Sequence, residues 1–327
     1  MSRAVDEDTK RALEHDVCVK AFRALTEALS QQHDGLLEVE ILGSSHNLDA
    51  NASCLQDGPA IAVSKVGLVQ AFVIGRDILQ DVRSGAQKHD SSTIMDATAV
   101  LLLTDPEHLT AANTRKRTLT SQLLYDVGQS LLLRDLYFVD SLLTSRLHRH
   151  TKSPNLWSHR RWLTSQLGRL HAAPEATNVL SNVIFVSAQR HPRNYYAWSH
   201  ARLLFPSLEQ DRPSLAVAIR QTEQWCYAHH DDISGWMFLG FLLKQNPEQA
   251  TGVLQETLRR TRSFLWRNET VWYFLQIAMS TLPVDVYLLI ELKATLKELQ
   301  VGAHGHSDGR NVLNQAATWI TRLVDDA

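Results

Sequence analysis

The side chains most able to do chemistry alone in this chain are its histidines and cysteines, and their spacing argues against a metal site. The histidines include three close pairs: His148 and His150, His229 and His230, and His304 and His306. Neighbouring positions on a helix do not share a face, so the first two pairs are poor chelators. The third lies beside Gly305 and is interpreted as a surface turn. Three scattered cysteines form neither a Cys-x-x-Cys site nor a disulfide framework. We expect no metal bound by this chain.

Other function classes are also disfavoured by the sequence. It contains neither a Gly-rich phosphate loop nor a Gly-x-Ser-x-Gly elbow, which argues against a hydrolase that acts alone. A net charge of −2 lacks the basic excess that nucleic-acid partners require. The sequence has no apolar run of membrane-spanning length and no basic-then-apolar start typical of a signal peptide. With few cysteines, this predicts a reduced, cytoplasmic location.

Four tryptophans recur at nearly constant spacing, and each begins a similar apolar segment. The four are Trp157, Trp198, Trp236 and Trp272, and successive members are 41, 38 and 36 residues apart. A weaker copy begins at Ala112, 45 residues before Trp157. Such a period with helical patterning predicts one helical hairpin per repeat, stacked on its neighbours. We therefore expect an all-α, right-handed solenoid, or superhelix, similar to tetratricopeptide arrays. The tryptophans would pack between hairpins.

Basic side chains follow the first three repeat positions by three or four residues: Arg115, Lys116, Arg160, Arg161 and Arg202. Two interpretations stay open for each. It forms a salt bridge or carbonyl cap within the array, or it contributes to a binding surface. The copies that begin at Trp236 and Trp272 lack the arginine.

Elsewhere the sequence predicts helices joined by short turns. Four prolines are interpreted as the first residues of helices, where the missing N–H costs nothing: Pro106, Pro154, Pro174 and Pro247. Apolar stripes predict helices over residues 284–300 and 312–323, the second of which caps the array. The array of about five repeats is expected to span residues 91–327.

Residues 1–90 have a different character and are predicted to form a partly irregular N-terminal region. Apolar spacing indicates helices over residues 5–31 and 66–79. Short apolar runs at 36–42 and 59–66 indicate extended segments between them. The boundary is placed within residues 84–92, which include Gly85.

At the repeat tryptophans the chain resembles a known family. Residues 152–162, KSPNLWSHRRW, and 194–202, NYYAWSHAR, are similar to the Trp-x-x-Arg repeats of protein prenyltransferase α subunits. The resemblance covers about residues 90–280, and its recurrence at one period makes it specific. Residues 58–65 and 96–106 are similar to the divergent, repeat-containing branch of that family.

The resemblance implies an α-type subunit of a heterodimeric prenyltransferase, wrapped around a β subunit that holds the catalytic zinc and the lipid pocket. The chain would then be inactive alone, bind no cofactor itself and support geranylgeranyl transfer from its diphosphate to a C-terminal cysteine of a protein. The β subunit of the Rab-modifying enzyme is the favoured partner. In the family, a lysine five residues before a repeat tryptophan lies close to the isoprenoid diphosphate, and Lys152 occupies that position. Two tyrosines, Tyr195 and Tyr196, precede the next tryptophan, and their hydroxyl groups would donate hydrogen bonds to the diphosphate.

The chain departs from the family pattern in three places. Ala112 replaces the first tryptophan, Pro154 stands where a tyrosine is common, and two repeats lack the arginine. Two alternatives therefore stay open. Lys152 is an ordinary turn lysine, or Tyr195 and Tyr196 only pack within their hairpin. The alternative function is a non-catalytic helical-repeat scaffold that binds other proteins.

Overall fold

The computed structural model describes residues 13–43, 53–123, 127–205, 212–301 and 307–325. Apart from one three-stranded sheet, the elements in these ranges are helices, which confirms the predicted all-α helical-repeat class. By its contacts the chain divides into an N-terminal unit, Met1–Pro174, and a C-terminal unit, Glu175–Ala327. The predicted division after residue 90 rests on sequence character and stays a prediction. Among the helices within the described ranges, none is both long and apolar enough to cross a bilayer.

The N-terminal unit opens with a helix and a small sheet: α1 (His15–Ser30), β1 (Glu38–Leu42), β2 (Cys54–Asp57) and β3 (Ala60–Ser64). The two predicted extended segments become the parallel strands β1 and β3, with β2 antiparallel to β3 on its other side. Of the helix predicted over residues 5–31, residues 5–12 lie outside the described chain. The sheet itself was not predicted, because strand pairing depends on contacts between distant residues.

Six further helices complete the N-terminal unit: α2 (Lys65–Ser84), α3 (Ser91–Thr104), α4 (Leu109–Gln122), α5 (Gly128–Leu143), α6 (His148–Thr151) and α7 (Pro154–Arg169). Gly85 ends α2 in the left-handed conformation (φ 72°), where its N–H donates to the Asp81 carbonyl. Helices α4, α5 and α7 pack against one another. The chain before β1 is tied to α5, because the Ser141 hydroxyl accepts from the Leu37 N–H at 3.0 Å.

The C-terminal unit begins with α8, which runs through Ala176–Val179, a π-helical turn Leu180–Ile184, and Phe185–Arg190. The helices that follow are α9 (Tyr195–Leu204), α10 (Arg212–Ala228), α11 (Ile233–Gln245), α12 (Ala250–Ser263), α13 (Glu269–Thr281), α14 (Val286–Val301) and α15 (Ser307–Asp325). The tryptophan-bearing helices pack in succession, α9 on α11 and α11 on α13, and α13 then packs on α15. Helix α12 packs on α14 in the same way. This is the stacking expected of helical hairpins.

The proline predictions have a mixed outcome. Pro154 is the first residue of α7, and Pro247 opens the short 3₁₀ turn before α12. The prediction is wrong for the other two, because α4 begins at Leu109 after a His108 cap and α8 begins at Ala176 after Glu175. The Pro106 carbonyl instead accepts hydrogen bonds from the next repeat.

Gly235 in α11 is required by the aromatic packing around it. A Cβ there would lie 2.5 Å from the Trp225 ring and 3.3 Å from the Trp198 ring. We expect Gly235→Ala to lower the free energy of unfolding of the C-terminal unit by about 1–3 kcal/mol, as overpacking does. Urea titration followed by tryptophan fluorescence measures this.

Gly252→Ala in α12 is the matched control, because no atom lies within 4 Å of its added methyl group. It should stabilise the unit by about 0.5–1 kcal/mol through helix propensity. Equal effects of the two alanines would refute the steric explanation.

Candidate functional site: the turns before the repeat tryptophans

Each repeat tryptophan lies four residues after the residue that caps its helix. The N-cap positions are Ser153, Asn194, Asp232 and Asn268, and His108 holds the same position before Ala112; of these, Asn268 makes no capping bond with its side chain. The Ser153 hydroxyl accepts from the Leu156 N–H at 3.0 Å. One Asp232 carboxylate oxygen accepts from the N–H groups of Ser234 and Gly235 at 2.9 and 3.2 Å. Such caps fix where a helix begins. The spacing between cap and tryptophan is therefore constant in the repeat.

Three of the four tryptophans close the turn in front of their own helix with a hydrogen bond. Their indole Nε1–H donates to the carbonyl six residues earlier, at 2.9–3.1 Å: Trp157 to Thr151, Trp236 to His230, and Trp272 to Trp266. All three indoles are buried. We call this contact the indole–turn bond. It satisfies two buried polar groups and links the turn rigidly to the helix.

Trp198 is the exception among the repeat tryptophans. Its buried Nε1 has no hydrogen-bond partner among the described residues. Its ring instead lies edge-on to Trp225, with 4.9 Å between centroids. The turn before it is instead bound by the N-cap residue of the next repeat, because the second Asp232 carboxylate oxygen accepts from the Arg193 N–H at 2.7 Å. Arg193 has a φ of 59°, an uncommon conformation for a residue with a side chain.

Within each unit, the cap of one turn bonds to the turn before it. In the N-terminal unit the Ser153 hydroxyl and the Asn155 amide donate to the Pro106 carbonyl at 3.2 and 2.8 Å. In the C-terminal unit Asp232 binds the Arg193 N–H, and the Asn268 amide donates to the His230 carbonyl at 2.8 Å. Neighbouring turns are thus aligned along one edge of each unit.

Lys152 follows directly after the carbonyl that accepts the Trp157 indole–turn bond. It caps the end of the short helix α6 and is half-buried. Its ammonium makes no hydrogen bond or ion pair with any residue that the structure describes. The nearby Arg149 is neutralised by Asp105 at 2.8 Å. Lys152 is therefore available to bind an anion.

Tyr195 and Tyr196 are the first two residues of α9, in the C-terminal unit, whereas Lys152 belongs to the N-terminal unit. Their rings meet edge-on at 5.6 Å and are 70% and 39% exposed, so they are not core packing residues. Arg202 lies on the same helix, with its guanidinium 5.7 Å from the Phe241 ring. Burial lowers the pKa of Arg202, and Tyr195 acts in the opposite direction.

Two further basic residues share the position of Lys152 and were missed from the sequence. Arg193 and Arg267 each lie five residues before a repeat tryptophan. Arg193 is exposed, whereas Arg267 is half-buried with its stem against Gly309. Aligning the residues before each tryptophan would have identified both.

The arginines three residues after the repeat position are internal. Arg160 is fully buried, and its Nε and Nη2 donate to the two Asp140 carboxylate oxygens at 2.6 and 3.2 Å. Arg115 is also buried and donates through its Nε to one oxygen of Asp135. In the C-terminal unit the equivalent positions are buried apolar residues: Ala201, Leu239 and Leu275. Arg115 and Arg160 therefore fit the internal salt-bridge interpretation, whereas Arg161 is exposed.

The histidines of the first two pairs have structural contacts. His150 Nε2 binds the Leu103 carbonyl at 2.8 Å, His229 Nδ1 binds the Trp225 carbonyl at 2.9 Å, and His230 stacks on Trp266. His304 and His306 lie outside the described residues. Within the described chain, no group of three His, Cys, Asp or Glu side chains could hold a metal ion.

Comparison with known proteins gives one family model and several relatives that match part of this chain. Residues 156–265 match a family model described as the ECM9 middle domain. The chain is 31% identical over 180 residues to the human protein prenyltransferase alpha subunit repeat-containing protein 1, covering 50% of this chain and 42% of that protein. It is 28% identical over 173 residues to Saccharomyces cerevisiae protein ECM9, covering 51% of this chain and 44% of that protein.

A more distant match is the Arabidopsis thaliana geranylgeranyl transferase type-2 subunit alpha 2, 30% identical over 129 residues, which covers 36% of this chain and 18% of that protein. The chain spans less than half the length of these curated relatives. The resemblance carried by the tryptophan repeats is thereby confirmed: over about half its length, this chain is similar to proteins named protein prenyltransferase alpha subunit repeat-containing protein 1.

Proposed function

We propose that this chain is an α-type subunit of a heterodimeric protein prenyltransferase, located in the cytoplasm, that supports geranylgeranyl transfer to a C-terminal cysteine of a protein substrate. The observation that carries the proposal is the turn before Trp157. There the indole–turn bond fixes the backbone beside Lys152 and leaves its ammonium available. Similarity to a protein named as a geranylgeranyl transferase α subunit supports the same assignment.

The chemistry assigned to this chain is stabilisation of the leaving group. When the allylic C–O bond breaks, negative charge builds on the diphosphate oxygens, and a fixed cation offsets it. Lys152 would supply that cation from the N-terminal unit. The hydroxyl groups of Tyr195 and Tyr196, in the C-terminal unit, stay diphosphate donors predicted from the sequence alone. Zinc and the lipid pocket are assigned to a separate β subunit, for which the type-2 (Rab) β subunit is the first candidate. The chain is not expected to act alone.

The solvent-facing side of α9, α11 and α13 is the surface we assign to the β subunit. Positions one, four and five residues after each tryptophan share one helix face. In the C-terminal unit this face is rich in apolar side chains that are half-buried or exposed: Leu203, Met237, Phe241, Tyr273 and Ile277. Arg202 lies among them, against Phe241. Aromatic residues with an arginine are typical of the energetic centre of protein interfaces.

The second candidate function is the non-catalytic scaffold, and that same apolar face favours it. In the N-terminal unit the equivalent positions are mostly polar or basic: Asn113, Lys116, Arg117, Ser158, Arg161 and Trp162. A scaffold would need the apolar face to bind its partner, but it would not need Lys152. The two functions therefore differ in what loss of the lysine does.

Lys152→Ala is expected to slow transfer without loss of the partner. One cation at a partly exposed site contributes about 1 kcal/mol, which is about fivefold in rate. The measurement is single-turnover transfer of labelled geranylgeranyl by the chain co-expressed with the type-2 β subunit. Lys88→Ala, an exposed lysine of the same unit, is the matched control.

Equal transfer rates for the two lysine variants would contradict the role assigned to Lys152, whereas capture of a partner with no transfer by any variant would favour the scaffold. If none of the prenyltransferase β subunits co-purifies and no substrate is labelled, the subunit assignment is wrong.

Phe241→Glu is expected to weaken capture of the β subunit by more than about tenfold, because truncating or charging a central aromatic typically costs 2 kcal/mol or more. Arg220→Glu, exposed on α10, should leave capture unchanged. Co-purification and circular dichroism together separate lost binding from lost folding. Undiminished capture by folded Phe241→Glu would place the interface elsewhere.

A further inference from the structure

A cleft of about 240 Å³ lies within the N-terminal unit, between α1, α3, α4 and α5. Its apolar wall includes Leu29, Met95, Leu119 and Phe138. Clefts between packed helices that combine apolar walls with a few polar groups are the usual form of small-molecule sites. Its volume is below the roughly 300 Å³ at which drug-sized pockets begin, so a ligand would be small.

The charged groups at the base of this cleft are already paired. Arg115 binds the Asp135 carboxylate and also donates to the Met95 carbonyl at 2.6 Å. His159 Nε2 binds the other Asp135 oxygen at 2.8 Å. Burial alone would raise the pKa of Asp135, but Arg115 and His159 outweigh it and hold the pKa below its usual range. An ionised Asp135 thus neutralises Arg115, which presents little net charge to a ligand.

The polar groups around the cleft are partly occupied as well. The exposed Arg134 donates to the Ser30 carbonyl at 3.1 Å, and the Gln122 amide donates to the Ser91 hydroxyl at 3.2 Å. These bonds join α5 to α1 and α4 to α3, the helices that line the cleft. Because Arg134 is solvent-exposed, solvent weakens its field within the cleft, although its charge still acts to lower the pKa of Asp96.

Asp96 is the group left without a partner. Its side chain lines the cleft and is half-buried, yet it makes no hydrogen bond or ion pair with any residue of the described chain. Burial raises the pKa of Asp96, and the charges of Arg115 and Arg134 offset part of that shift. A half-buried carboxylate gains more electrostatic stabilisation from a bound cation than a solvent-exposed carboxylate does.

We propose that this cleft binds a small organic cation, with its ammonium on Asp96 and its apolar body against Met95, Leu119 and Phe138. The Asp96 carboxylate would repel an anionic ligand, and a neutral ligand would leave that carboxylate without an ionic partner. The site belongs to the N-terminal unit alone and does not depend on the proposed prenyltransferase role. A free amine and a lysine side chain of another protein share the required chemistry.

The test compares benzylamine with benzyl alcohol, which has the same ring but no charge, by NMR of the protein labelled at methionine and leucine methyl groups. Benzylamine should cause saturable shifts of the Met95 and Leu119 signals, and benzyl alcohol should bind at least tenfold more weakly. N-acetyl-lysine methylamide, tested in parallel, distinguishes a side-chain source from a free amine. Binding should weaken as the pH falls and Asp96 takes up a proton.

Asp96→Asn should weaken benzylamine binding at least tenfold, while Asp77→Asn, the same change on the exposed face of α2, should not alter it. The free energy of unfolding of Asp96→Asn, measured in urea, should be at least that of the wild type, because burial destabilises the charge that the substitution removes. Benzylamine binding that equals benzyl alcohol binding, or that survives in Asp96→Asn, would overturn the proposal. So would the absence of any saturable shift with benzylamine.

Discussion

The indole–turn bond is the interaction on which the repeat depends. A tryptophan four residues into a helix can donate to a carbonyl six residues earlier only if the intervening turn has one shape. The bond therefore sets the turn at Thr151, His230 and Trp266 while the ring fills the space between helices. One side chain provides both the packing of the array and the geometry of its edge.

The rest of the edge follows from this constraint. Since the turns are rigid, the caps can reach the neighbouring turn, and the His230 carbonyl accepts both the Trp236 indole and the Asn268 amide. The residue after each accepting carbonyl is then displayed from a fixed backbone, and in the Trp157 repeat that residue is Lys152. Where Trp198 makes no such bond, Asp232 holds the turn through the Arg193 N–H instead. In the C-terminal unit, two differently built turns thus each place a basic residue five positions before a repeat tryptophan: Arg193 before Trp198 and Arg267 before Trp272.

Features with a short-range cause could be predicted from the sequence. The period of the tryptophans predicted stacked helical hairpins, and the Ser153–Pro154 start of α7 followed from local capping rules. Features that join distant residues could not be predicted. The sheet pairs β1 with β3, Pro106 accepts from a residue 47 positions away, and the Asp96 cleft brings together four helices. Arg193 shares a sequence position with Lys152, but its left-handed backbone and its bond to Asp232, 39 residues away, could not be predicted from local sequence.

The most direct test of the indole–turn bond compares two phenylalanine substitutions within the C-terminal unit. Trp272→Phe and Trp198→Phe remove similar areas of buried ring and one indole N–H each. Only the Trp272 N–H is hydrogen-bonded, so only its loss takes a donor from a carbonyl, that of Trp266. We predict that Trp272→Phe lowers the free energy of unfolding by about 1–2 kcal/mol more than Trp198→Phe. An equal loss, or a larger loss for Trp198→Phe, would contradict the assignment of the turn geometry to this bond.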